Sequence, residues 1–470
     1  MYFISYFKNL FENFLKVKYF ISVVNTINDE TDNLNEDKLE NIKTNIYNNG
    51  SLYIKFFQWY ISNLKSKKTS ERNNVVINYF SDIFDQCPVH NLEHTLNIYR
   101  KDYDNDLYDY IEEDSLEILA SGSIGQVYKA KLKNTDQYVA IKVKHPNIDT
   151  DIENQKSFVE WLKYFQSYRY IRVKYKLFFN IDDFLDNINL QLDFNIEAQN
   201  TLKFIDNFKD NNLIKFPLPI KYSKNILVSE YIECENVDEI TNYNKYKVAI
   251  NLYSFINQCM IIDNFMHGDL HCKNWSIRKQ IYQGKEYYQI VIFDCGICFS
   301  NSRGIEGNLE LWKVLDSQDH KLISNLVKNY IVDDVNNNID EVIKKSEQIF
   351  ISDCTSKITD KYFCFILDII LNSDIILDSF LINISTNLIL VDDFLTKQQI
   401  WNKEMMSKET STYSNSIKNQ KINMITLADH YQSYPKLSNL LKEHLKSNIF
   451  NMEKPLTTQY ANFKFKTPTD

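Results

Sequence analysis

The sequence predicts an α+β fold of two lobes, with a helical N-terminal extension and a helical C-terminal tail. Strand patterns are confined to the middle of the 470-residue chain, at 116–145, 220–233 and 287–296. A small-residue turn joins the first two strands, a lysine lies on the third, and a polar loop and a strand-end aspartate follow. That order of features is typical of a bilobal protein-kinase-like fold.

The composition is that of a packed globular chain, because 44% of the residues are hydrophobic and 14% are aromatic. The net charge of −9 argues against a nucleic-acid partner, which usually requires a basic surface. Eight cysteines are scattered without a visible signal peptide. This pattern predicts reduced thiols and a cytoplasmic location.

We divide the chain into four predicted parts: the helical extension (1–115), an N-lobe with an inserted helical segment (116–234), a C-lobe (235–400) and a polar, helical tail (401–470). Within the lobes, residues 150–210 are expected to be mainly helical. A helix is expected at 245–264, and the chain from 305 onward is expected to be mostly helical.

The extension begins with 24 strongly apolar residues that are interrupted by charges at Lys8, Glu12, Lys16 and Lys18. These charges argue against a membrane-spanning helix. An amphipathic helix packed on the fold is favoured over one lying on a membrane surface, which would make the protein a peripheral membrane protein. Residues 28–50 are polar and indicate a linker or exposed helix, whereas 51–64 predict an amphipathic helix.

The turn "ASGSIGQV" (120–127) fits the G-x-G-x-x-G-x-V pattern, with Ala120 at the first glycine position. Small residues there would let backbone N–H groups approach phosphate oxygens, although a tight hairpin gives the same letters. A dinucleotide site is disfavoured because a strand follows the turn. The predicted nucleotide-binding residues are Ile118, Ala120, Ser121, Gly122, Ser123, Gly125, Val127 and Lys142.

Lys142 ends the strand "VAIK" (139–142). An ammonium group on a central strand needs a partner, because burying it alone is costly. An edge-strand lysine would also fit, but the preceding turn favours the phosphates of ATP as the partner.

The segment "HGDLHCKN" (267–274) fits the H-x-D-x-x-x-x-N loop of phosphotransferases. Asp269 is the candidate catalytic residue, which would accept or orient the proton of an attacking hydroxyl. Asn274 and Asp294 are the candidate ligands of Mg²⁺. Asp294 begins "DCG" at the end of a hydrophobic strand, with cysteine where kinases usually have phenylalanine.

Zinc is the rival metal, because soft ligands are available at His267, His271, Cys272, Cys295 and Cys298. A zinc site does not require Asp269, Asn274 or Asp294, and it does not explain the upstream turn and lysine. A redox role for the two C-x-x-C cysteines is less favoured, since no thioredoxin-like order surrounds them.

Four passages together resemble the UbiB/ADCK (aarF-domain) family of atypical kinases: "ILASGSIGQVYKAKL", "VAIKVKHPNI", "LDFNIEAQN" and "FMHGDLHCKN". They cover about residues 50–300. The resemblance implies that Glu197, in the third passage, pairs with Lys142. It also makes "KFFQ" (55–58) the counterpart of the family's K-x-G-Q helix, with Lys55 and Gln58 as regulatory residues.

This sequence departs from the family at several positions. Phe57 replaces the glycine of the K-x-G-Q helix, which puts autoinhibition by that helix in doubt. Gly122 lies in a loop that is alanine-rich in the family, Gln191 replaces an acidic residue, and Cys272–Lys273 replaces Pro-Gly.

Together these features predict Mg²⁺-dependent ATP binding, with hydrolysis or transfer of the γ-phosphoryl group. The acceptor is expected to be non-peptide because no Ala-Pro-Glu segment follows Asp294. The resemblance implies a link to isoprenoid lipid or coenzyme Q metabolism, and so a lipid or isoprenoid partner. A small-molecule phosphotransferase and an ATP-binding pseudokinase scaffold are the alternatives, and the sequence does not indicate an oligomeric state.

Overall fold

The computed structural model describes residues 2–28, 34–65, 71–80, 83, 86–166, 181–271, 273–282, 285–317 and 320–334, together with twelve positions between 340 and 387. The helices are α1 (Tyr2–Asn28), α2 (Glu36–Asn48), α3 (Ser51–Lys65), α4 (Glu71–Tyr79), α5 (Leu92–Tyr103), α6 (Leu107–Tyr110), α7 (Ile148–Asn154), α8 (Lys156–Gln166), α9 (Ile181–Gln191), α10 (Phe194–Asn207), α11 (Asn242–Asn257), α12 (Gly304–Ser317) and α13 (His320–Lys328). The strands are β1 (Glu117–Ser121), β2 (Gly125–Lys131), β3 (Tyr138–Lys144), β4 (Ile214–Lys215), β5 (Pro219–Tyr222), β6 (Ile226–Glu230), β7 (Met266–His267), β8 (Trp275–Tyr282), β9 (Lys285–Ile292), β10 (Cys298–Phe299), β11 (Ile331–Asp334) and β12 (Ile375–Leu377).

A five-stranded antiparallel sheet in the order β1-β2-β3-β6-β5 forms the first lobe. Lys142 lies on the central strand, opposite Val127 of β2 and Leu227 of β6. The strands expected at 116–145 and 220–233 are therefore present. Alternating small and β-branched residues suit a sheet with one covered face. Here the covered face packs against α5 through Tyr128, Ile141 and other buried side chains.

The N-terminal helices form one apolar core with the inserted helices α7–α9 and with the start of α10. Phe20 of α1 meets Phe56 of α3 at 4.6 Å between ring centroids, and Phe56 meets Phe158 of α8 at 5.9 Å. The favoured interpretation of the first 24 residues, a helix packed on the fold, agrees with this core. Among the described residues, none of the helices is both long enough and apolar enough to cross a bilayer.

The prediction of a linker or exposed helix over 28–50 was only partly right. Helix α2 forms, but Leu39, Ile42 and Ile46 are buried on one face. Their three- and four-residue spacing places them along one side of the helix. The polar composition of this segment obscured a short apolar stripe.

The second lobe has its own core around α11, which continues as a π-helical turn over Gln258–Asp263. A three-stranded sheet in the order β4-β9-β8 packs against this core. The helix expected at 245–264 and the strand within 287–296 are both present, whereas β8 was not predicted.

The chain from 305 onward was expected to be mostly helical, and it also contains a pair of short strands that was not predicted. The strands β11 and β12 pair antiparallel within this region, across 40 intervening residues. Such non-local pairing leaves no periodic signal that outweighs the helical one. The C-terminal tail (401–470) lies outside the described residues.

Candidate active site

Two predicted site residues from distant parts of the chain contact a third, Lys142. Its Nζ lies 2.8 Å from Oε2 of Glu197 on α10 and 3.4 Å from Oδ1 of Asp294, after β9. The ring of Phe194, one turn before Glu197, lies 5.1 Å from the same Nζ. A strand of the first lobe, its helix and a loop of the second lobe therefore meet at one ammonium group.

The pKa shifts in this cluster follow from burial and from the charges of its members. Burial alone would lower the pKa of Lys142, but the charges of Asp294 and Glu197 outweigh it and the pKa is raised. Burial would raise the pKa of Asp294, but Lys142 and then Lys55 reverse this, so the pKa lies below its usual range. Lys142 is therefore protonated and Asp294 ionised at neutral pH.

Glu197 differs from Asp294 in burial. Its side chain is 7% exposed and that of Asp294 is 40% exposed. Burial raises the pKa of Glu197, and the charge of Lys142 offsets this only in part. Asp294 is the more exposed of the two carboxylates, whereas Glu197 is the buried partner of the lysine.

The residues of the K-x-G-Q-like segment on α3 lie in two different environments. The charge of Lys55 acts on both Asp294 and Glu197, which places it near the cluster. Gln58 is buried and donates its amide to the carbonyl of Ile83 at 2.7 Å. Phe57 is also buried, with its ring 5.1 Å from that of Phe80. The structure brings Lys55 toward the site and Gln58 to a contact elsewhere.

The candidate catalytic loop is held to the Asp294 segment by one histidine. Asp269 donates its backbone N–H to Nδ1 of His267 at 3.1 Å, and Nε2 of His267 lies 3.0 Å from the carbonyl of Phe293. A carbonyl only accepts, so the proton of His267 is on Nε2. His267 thus connects the loop carrying Asp269 to the residue that precedes Asp294.

Asn274 is positioned by hydrogen bonds to the same two segments. Its Nδ2 donates to the carbonyl of Asp269 at 2.8 Å, and its backbone carbonyl accepts from the N–H of Phe293 at 2.8 Å. These bonds orient the side-chain amide, whose oxygen Oδ1 is the atom that could coordinate a cation. In addition, Nε2 of His271 lies 3.5 Å from Oδ2 of Asp269.

Two backbone positions shape this region. Asp294 has φ of +52°, a left-handed conformation that aspartate tolerates better than most residues. At Gly268 a Cβ atom would lie 2.4 Å from Cγ2 of Ile297, so only glycine fits there. The lack of space for a side chain therefore explains the glycine of the His-Gly-Asp sequence.

The small-residue turn presents residues of different burial. Ser121 and Ser123 are buried, Gly122 and Ala120 are half-buried, and Ile118 is 52% exposed beside a bulge in β1. Gly125 begins β2, and Val127 stands opposite Lys142. The exposed side chain of Ile118 sets it apart from the other candidates.

The zinc alternative involves Cys272, which lies outside the described residues. Among the residues that are described, no group of three histidine, cysteine, aspartate or glutamate side chains is arranged to hold a metal ion. Burial raises the pKa of Cys295, as expected for an inert thiol.

Sequence reasoning missed Asn200, one turn after Glu197 on α10. Its Nδ2 donates to the carbonyl of Cys295 at 2.9 Å, and so holds the turn after Asp294. Residues three apart share a helix face. The spacing of Asn200 from Glu197 could therefore have indicated this residue.

The family model of the ABC1 atypical kinase-like domain matches residues 82–327, which include this site apart from Lys55 and Gln58. The chain belongs to this family. The fold is accordingly kinase-like, and the UbiB/ADCK resemblance found in the sequence is confirmed.

Three relatives illustrate the similarity. The chain is 27% identical over 53% of its length to an ABC1 family protein MCP2 homolog of Schizosaccharomyces pombe, covering 45% of that protein. It is 24% identical over 49% of its length to the Saccharomyces cerevisiae ABC1 family protein YPL109C, mitochondrial, covering 38%. It is 30% identical over 38% of its length to the probable protein kinase UbiB of Histophilus somni, covering 34%. The chain therefore spans less than half the length of these relatives.

Proposed function

We propose that this protein binds Mg-ATP between its two lobes and hydrolyses it or transfers its γ-phosphoryl group to a non-peptide acceptor. The observation that carries the proposal is the contact of Lys142 with both Glu197 and Asp294. Kinases need a strand lysine paired with a helix glutamate and a metal-binding aspartate at the same place.

Each residue then has a role that its position supports. Lys142, held by Glu197, contacts the α- and β-phosphates, and residues 118–127 cover the phosphates. Asp294 and Oδ1 of Asn274 supply hard oxygen ligands of the kind that Mg²⁺ prefers. Bound Mg²⁺ would neutralise charge on the phosphates. Asp269 orients the acceptor hydroxyl or water, and His271 orients Asp269.

The acceptor, the regulation and the location rest on the sequence and the family resemblance. Those arguments favour a non-peptide acceptor that is linked to isoprenoid lipid or coenzyme Q metabolism. They also favour Lys55 and Gln58 as regulatory residues and a cytoplasmic location, with peripheral membrane contact as the less favoured alternative. The four-part division at 115, 234 and 400 belongs to this proposal as well.

The test is Mg²⁺-dependent binding of ATP and its hydrolysis by the full chain. We expect Lys142→Ala to lose most nucleotide binding. The matched control is Lys129→Ala, because Lys129 lies on the neighbouring strand β2 and pairs with Glu117 instead of the cluster. Equal effects of the two substitutions, or no binding by the wild type, would contradict the proposal.

Turnover separates the alternatives once binding is established. Release of inorganic phosphate, or a phosphorylated product with isoprenoid alcohols, supports the proposed reaction. Tight Mg-ATP binding without turnover would support a pseudokinase scaffold. Phosphorylation of a water-soluble small molecule would support the small-molecule phosphotransferase.

A further inference from the structure

Behind the small-residue turn lies a pair of histidines that the proposed reaction does not use. His90 precedes α5, and His145 follows β3. Their Nδ1 atoms lie 2.8 Å apart, and their rings meet edge to face at 4.9 Å between centroids. The relative accessible surface of His90 is only 9%, and His145 is half-buried. Such a short contact between two ring nitrogens requires that one donates and the other accepts.

The direction of this bond follows from the contacts of the second ring nitrogen of His145. Its Nε2 lies 2.9 Å from the carbonyl oxygen of Gly122, in the small-residue turn, and 3.4 Å from the hydroxyl of Ser121, which donates to the carbonyl of Pro88. A carbonyl can only accept, so Nε2 of His145 carries a proton. Burial lowers the pKa of His145 and, with the charge of its neighbours, lowers the pKa of His90 to about 3. Both rings are therefore neutral at pH 7, and Nδ1 of His145 must accept from His90.

The same reasoning continues on the far side of His90. Because its Nδ1 donates, its Nε2 must accept, and the hydroxyl of Thr95 lies 2.9 Å away. Thr95 in turn lies 2.8 Å from the hydroxyl of Tyr128, and burial raises the pKa of that tyrosine, which stays protonated. The hydrogen bonds therefore run in one direction, from Tyr128 through Thr95, His90 and His145 to Gly122.

The neighbouring carbonyls of the turn are also held by hydrogen bonds. The carbonyl of Ser121 accepts from the N–H of Cys87 at 2.6 Å, and that of Ile124 accepts from the N–H of His145 at 2.9 Å. In a planar trans peptide the C=O and the following N–H point in opposite directions. Fixing the carbonyl of Gly122 on His145 therefore directs the N–H of Ser123 away from the histidines.

We propose that His145, oriented by His90, is a positioning residue for the nucleotide: it holds the Gly122–Ser123 peptide with its N–H group directed at the phosphates of ATP. This rests on the proposed binding of Mg-ATP at the turn. His145 itself does not touch the nucleotide. Its effect is exerted through one peptide unit, whose orientation decides whether a donor or an acceptor faces a phosphate oxygen.

The first test is spectroscopic and needs no nucleotide. Proteins labelled with ¹⁵N at histidine, and assigned with His90→Asn and His145→Gln, report which ring nitrogen carries the proton. We expect opposite tautomers at pH 7, with the proton of His145 on Nε2 and that of His90 on Nδ1. Finding the same tautomer in both rings, or a cationic ring, would overturn the proposal even if ATP binds.

The second test separates positioning from packing. His145→Phe keeps a ring but removes the donor, and we expect the KM for Mg-ATP to rise roughly 3- to 10-fold while kcat changes much less. His145→Gln keeps an N–H at a similar reach and should restore most of the wild-type KM.

His94→Phe is the matched control. The ring of His94 also packs on His90 at 4.9 Å, but its Nε2 meets the carbonyl of Lys144 instead of the turn. Its KM for Mg-ATP should stay at the wild-type value. Equal KM changes in the two phenylalanine variants, or no rescue by glutamine, would show that the cluster acts by packing alone. If His145→Phe does not fold, the KM of His145→Gln for Mg-ATP and the tautomers of the two rings still test the proposal.

Discussion

The two sides of the candidate cleft are held by different kinds of interaction. Lys142, Glu197 and Asp294 hold one another by charge, with contacts of 2.8 and 3.4 Å around one ammonium group. The loop carrying Asp269 is held by neutral hydrogen bonds through His267 and Asn274. The charged cluster therefore depends on all of its members, whereas the hydrogen bonds of Asp269 with His267 and Asn274 use its backbone.

This difference first predicts that Asp269→Asn separates activity from folding. We expect turnover of Mg-ATP to fall roughly 100- to 10,000-fold, because the variant cannot act as a base. The unfolding midpoint should stay near that of the wild type, because the hydrogen bonds that join the loop to His267 and Asn274 use the backbone of Asp269. The contact of its side chain with His271 is long, at 3.5 Å. Steady-state ATPase assays and thermal melts measure the two effects.

The control is Asp136→Asn, because Asp136 is fully exposed in the turn between β2 and β3. Its turnover should match that of the wild type. Undiminished turnover in Asp269→Asn would remove its catalytic role and favour the pseudokinase scaffold.

On the charged side, Lys142→Met should destabilise the fold itself. Removing one partner of a buried ion pair typically costs about 3–5 kcal/mol, because the remaining charge is left uncompensated. Denaturant unfolding of the variant, followed by far-UV circular dichroism, would show this loss. Adding Glu197→Leu should recover part of the stability, since it removes the orphaned carboxylate.

Lys279→Met provides the contrast, since Lys279 forms a 2.6 Å ion pair with Glu286 in which both side chains are well exposed. Surface pairs contribute little to stability. A similar loss in both methionine variants would contradict the view that the cluster depends on buried charge.

The smallest expected effect concerns pH and the neutral network behind the turn. The pKa of His90 is about 3 in the folded protein and near 6.5 when unfolded, so the unfolded chain binds the proton first. The contribution of a neutral His90 is therefore fully present above pH 6.5 and declines as pH falls below it. Between pH 7 and 5.5 we expect a loss on the order of 1 kcal/mol relative to His90→Asn.

Unfolding free energies of both proteins across this range measure the difference. Because the pKa of Asp294 is lowered, its carboxylate titrates in a more acidic range and should not contribute to this change in the free energy of unfolding. Parallel pH profiles of the wild type and His90→Asn would show that His90 titrates normally.

Sequence reasoning predicted the candidate site residues more fully than the structure around them. Lys142, Asp269 and Asp294 could be named as candidates because the proposed chemistry requires fixed residue types at the ends of recognisable strands and loops. The pairing of Glu197 depended on family resemblance, since nothing local marks the partner of a distant lysine. The network of His90 and His145 left no pattern, because its members are joined only by folding.

The fold shows the same division. Strands β1 to β3 follow from alternation and turn residues within one short segment. The β11–β12 pairing could not be predicted from local periodicity, because the two strands are separated by a long stretch of chain. Nor did the polar composition of α2 reveal its buried stripe.

The apolar core shared by α1, α3, α8 and α10 has a mechanical consequence. The helix that carries Glu197 is packed in the same apolar core as side chains from the first sixty residues. A ligand or surface that displaces the N-terminal helices would disturb the helix that carries Glu197 before it affects the catalytic loop. The N-terminal helices and the helix that carries Glu197 are therefore coupled through one apolar core, so a substitution that loosens the first is expected to disturb the second.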